Sequence, residues 1–455
     1  MSGKVAKSTP IAYHVGRVVL RTSRRCCRKR RNRANIHASS GIIWLIPVYI
    51  PRALGLGMKR SLLLIADAFY PREIPPECKT NTYLATALAS RGWNVFVWAG
   101  DGARVPLSFE KDIVVRTTRF WGLAEAIKIF VWIVLHKPAQ VILMYHSELY
   151  SNRHDINWVP IMARLVGVRF VTLFTSGIKP RRSSTQDNAL RLLGLGTLLK
   201  YPVGPLGASS KMIFYCDHNR HCLLGKDLLN LKALTEISTP PNTLPVNSPT
   251  TKSLARKSLG LSDQDFLIGY FGLLYSGKGV EYLVEAMAIL KTKGIVARLI
   301  VVGPHGGVTA NESWNLHCQN YEVALKQRAS DLAIADIIIW AGFCDESRAV
   351  QILACCDLIC LPFDEGLTNL RSSFITCAQV GLPVITTLTS ATDEFLRDSA
   401  SGIMYIEPRN ALQIAHSIAS CYENREMTLK RGSMLKSFAA RHYNNEHFVD
   451  CFDMS

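Results

Sequence analysis

With 455 residues the chain is long enough for two domains that each bury a core of their own. A hydrophobic content of 48% against 19% charged residues excludes a disordered protein. The net charge of +18 is concentrated at one end: residues 1–57 hold twelve Lys and Arg and no acid, leaving +6 for the other 398 residues.

That basic stretch comes first in the chain, and its densest part is Arg24-Arg25-Cys26-Cys27-Arg28-Lys29-Arg30-Arg31-Asn32-Arg33. The pattern suits a solvated arm, an anionic lipid or nucleic-acid contact, or an organelle transit segment. A plainer reading starts the fold at Met58, immediately before the first strand, with residues 1–57 outside the fold. The stretch Gly41-Ile42-Ile43-Trp44-Leu45-Ile46-Pro47 is too short and too broken by proline to cross a bilayer, and nowhere do ~18 apolar residues run uninterrupted.

From residue 61 strands alternate with helices. Strands are predicted over 62–65, 94–98, 141–144, 169–173 and 211–215, and helices over 80–91, 123–136 and 158–166. Residues 239–249 are rich in Pro and lack periodicity, which marks a linker. The rhythm then restarts, with strands over 266–271, 298–302, 337–340, 358–361 and 383–387. The matching helices are 280–291, 346–355, 370–380 and 409–422. The reading is an α/β fold of two Rossmann-like, doubly wound domains facing across a cleft. The boundaries are 1–57 for the basic extension, 58–245 and 246–430 for the domains, and 431–455 for a C-terminal helix or tail. The thirteen cysteines form no C-x-x-C ladder, and several lie in apolar runs, so they read as reduced core residues.

The most informative stretch is Gly269-Tyr270-Phe271-Gly272-Leu273-Leu274-Tyr275-Ser276-Gly277-Lys278-Gly279-Val280. It runs from a strand through a glycine turn into a helix whose apolar stripe is Val280, Leu283, Val284 and Met287. Backbone N–H groups at a helix start, next to a lysine, suit a phosphate. Gly272-x-x-x-x-Gly277-Lys278 is a P-loop up to its last position, where Gly279 replaces the Ser or Thr that would hold magnesium. An ordinary βα turn with a solvated lysine is the bland alternative. Two further stretches end strands of the same sheet: Gly303-Pro304-His305, and Glu365-Gly366-Leu367-Thr368-Asn369-Leu370-Arg371-Ser372-Ser373. Here Glu365 can accept sugar hydroxyls, Arg371 can fork onto a phosphate, and Thr368 is placed to cap the next helix.

Taken together, these motifs resemble the nucleotide-sugar domain of the retaining glycosyltransferases of family 4, which have the two-domain GT-B fold. The resemblance rests on Gly269 to Gly272, Lys278-Gly279, Glu285-Ala286, Leu299 to Gly303, Leu361 to Gly366, and Gly381-Leu382-Pro383-Val384-Ile385. It covers roughly residues 60–440 and is strongest from about 260 to 390. It implies that Lys278 holds the donor diphosphate and that Glu365 is the first acid of the family's E-x7-E motif. The second acid falls on Ser373, the usual arginine after Gly272 is Leu273, and the first domain's frequent histidine is Phe174. Residues 365–373 are similar to the D-G-x-S-x-R-R-x-S motif of a bacterial cell-surface polysaccharide subgroup, in which Arg371 matches the second arginine.

The implied donor site comprises Lys278, Glu365 and Arg371 with Gly272, Gly277, Gly279, Gly303, Pro304, His305, Gly366, Leu367, Thr368 and Ser373. In the first domain, Met144-Tyr145-His146-Ser147-Glu148 ends a strand, so His146 and Glu148 are candidates for positioning the acceptor or relaying a proton. An exposed strand-end histidine is the equal alternative. Asp263-Gln264-Asp265 precedes its strand and reads as a turn, His218 and His221 as a surface cluster, and Lys179 to Arg182 as a phosphate contact or a solvated loop.

The function expected is therefore sugar transfer, with retention, from a nucleotide diphosphate sugar to a saccharide or lipid-linked saccharide. No cofactor or metal and no nucleic-acid partner are expected, and the setting is cytoplasmic with a peripheral membrane contact left open. A GT-B-shaped scaffold without activity is the rival reading.

Overall fold

The computed structural model describes residues 60–71, 77–146, 149–150, 155–175, 204–224, 235–238, 252–262, 264–303 and 312–453. The basic stretch, the 239–249 linker, Lys179 to Arg182, Asp263, Glu148, Pro304 and His305 lie outside them.

The first sheet has seven strands: β1 (Ser61–Ala66), β2 (Asn94–Gly100), β3 (Ile113–Thr118), β4 (Gln140–Tyr145), β5 (Arg169–Phe174), β6 (Lys211–Phe214) and β7 (Thr235–Ile237). Their order is β3-β2-β1-β4-β5-β6-β7, and every pairing is parallel. The helices are α1 (Glu77–Ser90), α2 (Leu123–His136), α3 (Val159–Leu165) and α4 (Asp217–Leu224). The central strands are apolar on both faces because helices cover both, as a parallel sheet requires. Ala126, Ile129 and Ile133 turn α2 onto this sheet, yet its outer side exposes Leu123, Ile127, Val131, Val134 and Leu135.

The second sheet repeats the plan with β8 (Phe266–Phe271), β9 (Ala297–Val302), β10 (Ile338–Gly342), β11 (Leu358–Leu361), β12 (Val384–Thr387) and β13 (Met404–Ile406). Again every pairing is parallel, in the order β10-β9-β8-β11-β12-β13. Its helices are α5 (Lys252–Ser258), α6 (Val280–Thr292), α7 (Glu312–Asp331), α8 (Glu346–Cys355), α9 (Ser372–Val380), α10 (Ala411–Glu423), α11 (Arg425–His442) and α12 (Asn445–Asp450). In both sheets the strand order reverses between the first strand and its β4 or β11 neighbour. Ligands of such sheets bind beyond the strand ends at that switch point.

Although it follows the second sheet in sequence, α12 lies with the residues after it against the first sheet. Phe448, Val449 and Phe452 are buried in its core, and Gln140 Nε2 donates to the Phe452 carbonyl at 2.9 Å. Arg91 holds Glu446 and Asp450 at 2.6 and 2.7 Å.

Most predicted elements are found within one to three residues of their expected limits. Elements the sequence reading omits are β3, β7, β13, α5 and α7, while α12 and most of α11 fall in the stretch read as a C-terminal helix or tail. Of the ten cysteines whose side chains are described, none is in a disulfide and nine are buried. One local expectation is corrected: Thr368 does not cap the helix after β11. That helix starts at Ser372, with Arg371 at the cap position and no side-chain cap bond. Thr368 instead accepts the Arg371 N–H through its own backbone carbonyl, at 3.0 Å, in a turn that delays the helix.

Candidate functional site

The Lys278 turn and the loop after β11 are far apart in sequence but locked together. The Asp364 N–H donates to the Gly277 carbonyl at 3.1 Å. Gly279, at φ +70°, sits so close to Pro362 that a Cβ there would collide with the Pro362 carbonyl. Beside this junction, Gly303 at φ +135° packs against the backbone of Gly272, while the side chain of Ser373 lies next to Gly272 itself. Gly272, Gly277, Gly279, Gly303, Gly366 and Ser373 thus gather at the carboxyl ends of β8, β9 and β11. The side chain of Leu367 is core and Thr368 is nearly so, and the Leu367 N–H donates to the Thr387 carbonyl at 2.9 Å.

Lys278 is only 9% exposed. Its ammonium sits 4.8 Å from the centre of the Tyr275 ring and 5.2 Å from that of Phe363. The Arg371 guanidinium sits 4.7 Å from the centre of the same Phe363 ring. Two cations therefore share one aromatic-walled crevice. Among the described residues, Arg371 pairs with one carboxylate, Glu365 at 3.0 Å, whose side chain is 81% exposed. Among the described residues, Lys278 has neither an ion-pair nor a hydrogen-bond partner for its ammonium. Burial, and secondarily repulsion from Arg371, pushes its pKa down to about 7, with Glu365 opposing weakly. The next helix, α6, begins without a side-chain cap, so its first N–H groups add positive potential there.

A buried, unpaired ammonium beside a guanidinium and an uncapped helix start forms a receptor for an anion with several oxygens. The sequence reading brought Lys278, Glu365 and Arg371 to this place but passed over Tyr275 and Phe363. The aromatics flanking Lys278 and following Pro362 were the available signal.

His146 lies elsewhere, at the end of β4 in the first sheet, with Nε2 3.5 Å from Glu77 Oε1 at the start of α1. His218 and His221 lie on α4, and Asp265 accepts the Ser262 N–H at 2.8 Å within a turn. Among the described residues, no three His, Cys, Asp or Glu side chains converge to hold a metal.

Residues 251–436 match the family model described as "Glycosyl transferases group 1". The matched stretch takes in the second sheet and its helices from α5 to α10. A curated relative, D-inositol 3-phosphate glycosyltransferase of Stackebrandtia nassauensis, is 29% identical over 175 residues, covering 36% of this chain and 36% of that protein. The match thus spans about a third of the relative's length. Among solved structures, Anabaena Alr3699/HepE in complex with UDP superposes with a TM-score of 0.61 at 18% identity, covering 87% of this chain and 99% of that one. A glycosyltransferase from Rickettsia africae gives 0.64 at 16% identity, covering 87% and 97%. At these identities the likeness establishes the architecture, the GT-B arrangement of two Rossmann-like domains.

Proposed function

We propose that the protein transfers a sugar from a nucleotide diphosphate sugar to a saccharide or lipid-linked saccharide, with retention of configuration, in building a cell-surface polysaccharide. The observation that carries this is the buried Lys278 ammonium, lacking an anion of its own and sharing a crevice with Arg371. A diphosphate completes that site. As the glycosidic bond to the donor breaks, negative charge grows on the leaving diphosphate. Lys278, Arg371 and the α6 N-terminus stabilise that charge where it develops, which is the main catalytic term. Glu365, exposed at the rim, is available to the donor sugar's hydroxyls. The departing phosphate itself takes the acceptor's proton, so the scheme needs neither a protein nucleophile nor a metal. On this reading His146, at the end of β4 in the first sheet, positions the acceptor or relays a proton, and Glu148 is a candidate for the same role.

Support for a nucleotide donor comes from the UDP held by the Anabaena relative of the same fold. The exposed apolar side of α2 favours an acceptor presented at a lipid surface, in a cytoplasmic protein resting on a membrane, since such patches mark interaction sites. No helix among the described residues is long and apolar enough to cross a membrane.

A second reading, an inactive GT-B scaffold, is favoured by Ser373 standing where the resemblance implies an acid on the ribose. A screen of nucleotide sugars for released nucleoside diphosphate separates the two. The transferase reading predicts turnover with at least one donor, and a loss of about 100-fold or more in Lys278→Ala, the scale of removing one preorganised charge-stabilising donor. No turnover with any donor, together with no thermal shift from UDP or GDP, would establish the scaffold.

A further inference from the structure

The loop between Glu365 and Arg371 does more than line the crevice. Within it, Asn369 is fully buried and reaches the other half of the molecule. The Asn369 Nδ2 donates to the Tyr215 carbonyl at 2.6 Å and to the Ser238 carbonyl at 3.3 Å, at the ends of β6 and β7. Its backbone N–H donates to Asp393 Oδ2 at 2.8 Å. The other oxygen of that carboxylate, Oδ1, accepts the backbone N–H of Asp217, the first residue of α4, also at 2.8 Å. Leu370, next in the chain, packs against the apolar core of the first sheet.

Asp393 is 3% exposed and belongs to the second half, yet it terminates a helix of the first. A carboxylate at a helix start is favoured by the helix dipole and satisfies an orphan N–H. The same carboxylate fixes the backbone of the loop carrying Glu365 and Arg371. Among the described residues, Asn369 Oδ1 is buried with no partner, and so is the Tyr443 hydroxyl, which feels the Asp393 charge. Unmet hydrogen-bonding capacity at a junction between two domains leaves room for a second arrangement of the same groups.

We propose that Asn369 and Asp393 are positioning residues that latch the donor loop to the acceptor-side sheet. The backbone of the loop holding the leaving diphosphate is then set by the first half as well as by the second. Closure of the halves and alignment of Arg371 become a single event. This inference rests on the transferase reading for its kinetic consequence but not for its structural one.

The test uses the full chain and the variants Asp393→Ala, Asp393→Asn and Asn369→Asp, the last placing a carboxylate against two carbonyl oxygens. Hydrogen exchange is the first readout. Asp393→Ala is expected to speed exchange at Asp217 and Asn369 together, although they lie in different halves, with Asp393→Asn milder. The second readout is kinetic: UDP affinity within about threefold of the parent, because Lys278 and Phe363 are untouched, with kcat lower by about tenfold, equivalent to about 1.4 kcal/mol of barrier. Exchange that rises in one half alone overturns the latch. So does a kcat at the parental value in a variant with lowered Tm, which would mark a merely structural contact. If the parent protein binds no nucleotide and shows no turnover, the transferase reading falls while the exchange result still decides the latch.

Discussion

At the scale of the residue, Lys278 sits where ligand binding and stability pull in opposite directions. Its stem is buried beside Tyr275 and Phe363, and its ammonium is desolvated next to a second cation. Replacing it with Met keeps the packing and removes the buried charge. At pH 6 we expect Lys278→Met to be more stable than the parent by about 2 kcal/mol, as relief of functional strain typically gives. The sign with pH follows from linkage. The group titrates near 10.5 when unfolded and about 7 when folded, so between those values the unfolded chain binds more protons. The parent therefore gains stability as pH rises from about 7 toward 10, and the advantage of Lys278→Met shrinks over that window. Urea denaturation of both proteins at pH 6 and pH 9 checks this. A difference that stays constant with pH would show that the ammonium is not desolvated.

At the scale of the element, the two glycines around Lys278 divide the work of the turn. Both have positive φ, but a side chain at Gly277 would enter open space, whereas one at Gly279 would meet the Pro362 carbonyl. Gly277→Ala should cost about 1–2 kcal/mol, the left-handed strain alone. Gly279→Ala should cost about 3 kcal/mol or more, because steric overlap adds to that strain. Equal urea midpoints for the two variants would contradict this account of how β8 and β11 are locked together.

The Lys278 turn was also the most legible part of the sequence. Val280, Leu283, Val284 and Met287 are all buried on α6, as their spacing demands, and the helix closes near Gly294. The helix over 346–355 and the strand over 358–361 likewise fall where the pattern put them, because compact apolar runs bounded by turn residues leave few alternatives. The twenty-residue helix α7 was not read. Its buried residues Cys318, Leu325 and Ala329 form a stripe too thin to stand out among charged neighbours. The strands β7 and β13 have three residues each and sit at sheet edges, where neighbouring strands, not local composition, make them strands. Of the site, the charged groups were readable from motif spacing. The aromatic walls and the Asn369–Asp393 bridge were not, since they depend on which distant segments the fold brings together.

At the scale of the whole molecule, the two halves are joined in ways a linear reading of domains does not convey. Phe448 and Phe452, near the C-terminus, complete the core of the sheet formed first in the sequence, and Asn369 ties the donor loop to the same half. The +6 charge of residues 58–455 is modest, so on the proposed function the pull on a diphosphate comes from local placement of two cations and not from a general basic field. The central claim, that a diphosphate supplies the missing partner of Lys278, is tested most directly by calorimetric titration with UDP at pH 8 in two buffers of different ionisation enthalpy. With a free pKa of about 7 and a diphosphate holding the ammonium charged, binding should take up about 0.9 proton in the parent protein. Lys278→Met should bind UDP far more weakly and without that proton. Binding of equal strength in both proteins, with no proton uptake in either, would contradict the account.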